Sequence, residues 1–102
     1  MSFHPSVYPL CTAIADELHN MRQQLSDLAE RLCLDEYFCS RHIESLQAFD
    51  ALTQQAEESA LMLERLSAGI KPQEALSLVR LGKLQMRLRE HLDHLVHPQP
   101  GE

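Results

Sequence analysis

Apolar residues recur along the first third of this chain with an unusually regular step. Ile14, Leu18, Met21, Leu25, Leu28 and Leu32 follow one another at intervals of 4, 3, 4, 3 and 4. That alternation puts a single apolar seam on one face of an α-helix, and it predicts a helix opening near Pro9. Ser6 is the candidate cap, and Pro9 is tolerated in a first turn, where its missing donor has no partner to lose. The phase continues through Asp35, Cys39, His42, Leu46, Phe49, Thr53, Ala56, Ala60 and Leu63, turning polar at Asp35 and His42 before it recovers. An unbroken helix to Ser67 would run for ~85 Å at about 1.5 Å per residue. A break near Leu34, with Asp35 capping a second helix, is therefore preferred to one continuous rod.

The next boundary is sharper. Ala68-Gly69-Ile70-Lys71-Pro72 combines a glycine suited to the left-handed position past a helix end with a proline suited to opening the following helix. This predicts a tight helical hairpin. A third helix then carries Leu78, Leu81, Leu88, Leu92 and Leu95 on one face and ends before Pro98. Gly82 inside it costs about 1 kcal/mol relative to alanine, which suggests close approach of another helix. The expected organisation is an irregular leader over 1–8, a helical domain over 9–97 and a frayed tail over 98–102. The fold class is all-α: a bundle of about three long amphipathic helices around a helical hairpin, completed by dimerisation.

Composition supports the dimer. The chain has 102 residues, no Trp and only 5 % aromatic residues, so leucines must fill a core that three slim helices barely enclose. The seam residues Leu18, Met21, Leu25, Leu28 and Leu32 are the expected interface. The net charge of −6 is uneven. Residues 1–68 hold eleven acids against four bases, giving −7, and residues 69–102 hold five bases against four acids, giving +1. An acidic chain disfavours nucleic acid and anionic lipid as partners. Arg80, Lys83 and Arg87 are expected to face the acidic helices or water, and the pairs Asp16-Glu17 and Glu57-Glu58 read as solvated faces. No stretch approaches the roughly twenty apolar residues of a membrane span. Three cysteines without a recognisable secretory signal lead to the expectation of a reducing, cytoplasmic setting with free thiols.

Two constellations could carry chemistry. Antiparallel pairing about Gly69 would bring His94 and His97 beside residues 43–46, gathering Cys33, Cys39, His42, His94 and His97 at one pole. Thiolate and imidazole are zinc ligands, so Cys39, His42, His94 and His97 are the candidate metal set. The alternative is that histidines near a helix C-terminus answer its dipole. Separately, His19-Asn20-Met21-Arg22-Gln23-Gln24-Leu25 resembles the phospho-acceptor helix of histidine-kinase dimerisation domains, which implies a relay imidazole at His19. It departs from that family in lacking the usual proline and a nucleotide-binding domain. No Gly-rich phosphate loop or other enzyme signature is present. The expected function is a non-catalytic helical interaction module, acting as an adaptor, chaperone or regulatory subunit in homo-oligomeric form. A metal-binding helical protein and a His phosphotransfer module are the alternatives.

Overall fold

The computed structural model describes residues 4–96, and they form five helices and no strand. α1 spans Val7–Leu32, α2 Glu36–Arg41, α3 Ile43–Ser67, α4 Pro72–Ser77 and α5 Gly82–Val96. α1 and α3 form a long antiparallel hairpin. Its contact face is built from small residues: Ala15 and Ala60 are fully buried and Ala56 nearly so, which lets the two backbones approach closely. Polar pairs then fix the register. Ser67 Oγ donates to the Tyr8 carbonyl at 3.1 Å and lies 2.6 Å from Thr12 Oγ1. His19 Nε2 donates to Glu64 Oε1 at 2.8 Å, the carboxylate being an acceptor only. Arg22 Nε stands 2.7 Å from Glu57 Oε2, at an angle too oblique for a full hydrogen bond, so that contact is an ion pair.

α1 begins at Val7, which leaves Pro9 in its first turn. Ser6 is the first flanking residue, but its hydroxyl pairs with His4 Nδ1 at 2.7 Å and caps nothing. The break near Leu34 is present: α1 ends at Leu32, and Asp35 Oδ1 accepts from the Phe38 amide at 3.2 Å, a true N-cap. A second break follows at His42, one residue wide, with φ −126° and ψ 35°. His42 still donates to the Phe38 carbonyl and accepts from the Leu46 amide, so this kink retains hydrogen bonds on both sides.

At the other end, α3 closes as expected. Gly69 has φ +89°, its amide donates to the Leu66 carbonyl at 3.0 Å, and the Ile70 amide donates to the Arg65 carbonyl at 3.1 Å. Those two bonds are the Schellman motif. The expected third helix, however, is two helices, interrupted between Leu78 and Leu81. Side chains take over the backbone groups there. Glu58 Oε1 accepts from the Arg80 amide at 2.7 Å, while Gln85 Nε2 donates toward the carbonyls of Leu76, Ser77 and Val79 at 3.2–3.4 Å. Burial of Leu76, Val79 and Leu84 in one cluster, with Met62, Leu81, Leu88 and Leu92 packed on it, rewards the bend. Gly82 is the first residue of α5, and a Cβ placed there meets nothing within 4 Å, so it serves no close helix approach.

The molecule is long and thin, 54 × 33 × 23 Å with a radius of gyration of 17.1 Å. A compact domain of this length has a radius of gyration near ~13 Å. Among the described residues, no side chain larger than alanine is fully buried.

Candidate functional site

Two regions collect the residues singled out above: the flank of α1 and the corner between α1 and α2. Along α1, Ala15 faces α3, and Leu18, Leu25 and Leu32 are half-buried beside it. Ile14, Met21 and Leu28 follow at seven-residue spacing, so they share one line on the helix surface. They are 43, 53 and 44 % exposed. The predicted seam is therefore divided lengthwise. Its inner edge packs on α3, and its outer edge, with Leu10 extending it, lies uncovered.

At the α1–α2 corner, Cys33, Glu36, Cys39, Ile43, Leu46 and Asp50 line a groove of about 530 Å³. The extended backbone of Asp35 turns the chain here, and one helical turn later Cys39 Sγ reaches 3.8 Å from the Leu32 carbonyl. Cys33 is exposed and Cys39 half-buried. The adjacent Cys33 thiol raises the Cys39 pKa above its ordinary value, with desolvation and the negative charges of Asp35 and Glu36 adding to the effect. Aromatic contacts run along α2: Phe38 and His42 rings lie 4.3 Å apart by centroid, and the Arg41 guanidinium sits over the Tyr37 ring and bonds its hydroxyl.

The expected metal set is distributed differently from the sequence reading. His42 is exposed on the α2–α3 kink beside Phe38, and Cys39 turns toward Cys33. His94 is exposed on α5 and His97 lies outside the described residues. The first turns of α5 share a groove with Ala51 and Gln54 of α3, but the helix is not packed along α3 as a continuous hairpin would be. Among the described residues, no three His, Cys, Asp or Glu side chains come together to hold a metal ion. His19 is half-buried, and its Nε2 is engaged by Glu64.

The residue missed from sequence is Glu58. The residue is only 6 % exposed and its carboxylate anchors the α4–α5 linker, where the pair Glu57-Glu58 reads from sequence as a solvated face. Its partner is a backbone amide, which leaves no pattern in the sequence. No helix among the described residues is long and apolar enough to cross a membrane. No protein family model, curated protein or solved structure matches this chain.

Proposed function

We propose that the protein is a non-catalytic helical interaction module that acts as a homodimer in the cytoplasm and presents its outer face to another protein, as an adaptor, chaperone or regulatory subunit does. The observation that carries this reading is the uncovered line Ile14, Met21 and Leu28 running beside the half-buried Leu18, Leu25 and Leu32. A helix in water keeps such a line only at a cost, since covering a Leu, Ile or Met side chain contributes about 1.5–3 kcal/mol. A second copy laid along α1 covers the same line on both chains at once. The contact is then isologous, the commonest form of self-association. Recognition through anchors at i, i+3, i+4 and i+7 is the helix-to-helix mode that this spacing suits.

Support also comes from surface area. The chain exposes 7798 Å², against roughly 5,900 Å² for a compact monomer of its mass.

Substitution tests the reading. Met21→Glu and Leu28→Glu alter side chains that are already exposed within one chain. Both variants should halve the mass measured by light scattering while leaving the far-ultraviolet circular dichroism unchanged. Leu25→Asp, at a half-buried site, should lower helicity as well. Unchanged mass in both glutamate variants removes the α1 line as an interface.

A further inference from the structure

Cys33 and Cys39 are six residues apart. On one straight helix that separation is about 9 Å of rise and about 120° of rotation, and the two thiols could not meet. The break at Cys33–Asp35 changes this. Once α1 has ended at Leu32, α2 folds so that Cys39 Sγ lies 3.8 Å from the carbonyl of the residue bonded to Cys33. Both thiols line the same groove of about 530 Å³. The third cysteine, Cys11, sits at the far end of the hairpin with Tyr8, Leu66 and Ile70 around a separate groove of about 380 Å³.

We propose that Cys33 and Cys39 form a reversible dithiol–disulfide site, oxidised by a small-molecule disulfide that enters this groove. The exposed Cys33 is the entry thiol. Its thiolate attacks one sulfur of the incoming disulfide, a Cys33 mixed disulfide forms, and one small thiolate leaves. Cys39 then attacks the Cys33 sulfur, the internal disulfide forms, and the second small thiolate leaves. The two protons lost by the cysteines end on the two released thiols. Two protein thiols and one small disulfide thus become one protein disulfide and two small thiols.

Accessibility sets the order of events, since Cys33 is exposed and Cys39 only half so. The contact with Cys33 is the largest influence holding the Cys39 proton in place. Capture of Cys33 as a mixed disulfide removes that contact, so Cys39 becomes easier to ionise when it is required to react. Glu36 and Asp50 on the groove wall give the site a negative lining, which suits a cationic disulfide. Because the site lies at the hairpin tip, its chemistry does not rest on dimerisation through the α1 line.

The probe is cystamine, a disulfide carrying two ammonium groups. Fully reduced full-length protein is incubated with it near neutral pH, then analysed by thiol titration, intact mass and peptide mapping. Free thiols should fall from three to one, the mass should drop by two hydrogens, and the linked peptides should be those of Cys33 and Cys39. Cys11→Ser should still form the bond. Cys39→Ser, checked for wild-type circular dichroism, should stop at one adduct on Cys33. Two results overturn the proposal: wild-type protein that accumulates stable cystamine adducts without an internal disulfide, or a cross-link that runs through Cys11.

Discussion

Replacing Gly69 isolates a backbone cost from every packing effect. Its φ of +89° lies in the left-handed region, and a Cβ built there meets nothing within 4 Å. A substituent therefore has room, and the penalty is conformational alone. Holding an L-residue in that region costs about 1–2 kcal/mol. Loss of glycine's freedom in the unfolded chain returns about 0.4–1 kcal/mol. Gly69→Ala should thus lower stability by about 1 kcal/mol, which in a domain of this size is a fall in Tm of roughly 4–8 °C. Gly69→Val should cost about 2 kcal/mol, because a β-branched side chain resists positive φ more strongly. Gly69→Asn should be the mildest, since asparagine tolerates this region. Urea unfolding followed by circular dichroism reads these differences, at one fixed protein concentration because self-association would otherwise shift the midpoint. Hydrogen exchange adds a local signal. The Ile70 amide, bonded to the Arg65 carbonyl at 3.1 Å, should lose protection first. Equal stability of Ala, Val and wild type would refute the left-handed cap.

Gly82→Ala should act in the opposite sense, stabilising by about 0.4–1 kcal/mol, because this glycine opens α5 with free space around it and no positive φ; a lowered melting temperature contradicts that. Glu58→Ala should cost about 1.5–3 kcal/mol by orphaning the Arg80 amide. Glu58→Gln, which keeps an acceptor, should cost less, and equal losses in the two variants would mean that the amide bond is unimportant. Maleimide labelling near neutral pH should modify Cys33 well before Cys39. The gap should narrow as pH rises, because the raised Cys39 pKa keeps that thiol protonated in the lower range. Equal labelling rates throughout would contradict the contact between the two thiols.

The parts of the fold visible in the sequence are those set by local chemistry. Gly69 and Pro72 mark the α3–α4 turn because only particular residues suit those backbone positions, and Asp35 marks the α2 start because its carboxylate bonds Phe38. The seam from Ile14 to Leu32 is visible through its period, but period alone does not say which edge of the stripe faces a neighbour. Ala15, Ala56 and Ala60 settle that, since their small size brings α3 against one flank and leaves Met21 and Leu28 outside. The interruption at Leu78–Leu81 was hidden for a different reason. Leucine-rich residues there continue a helical pattern, while Glu58 and Gln85, distant in sequence from the groups they bind, replace the helix's own hydrogen bonds. Periodicity alone carries one straight third helix back along α3, which would deliver His94 and His97 to the Cys39–His42 corner. The Cys33–Cys39 contact escaped the same reading, because six-residue spacing separates two side chains on a continuous helix and only the turn at Asp35 unites them.

Sedimentation equilibrium of the untagged full-length chain, over a range spanning the micromolar, tests the central claim most directly. Self-association through the α1 line predicts a mass twice the 11.7 kDa of the chain, dissociating on dilution and reduced to the single-chain mass by Met21→Glu. A constant 11.7 kDa at every concentration, with Met21→Glu indistinguishable from wild type, contradicts it.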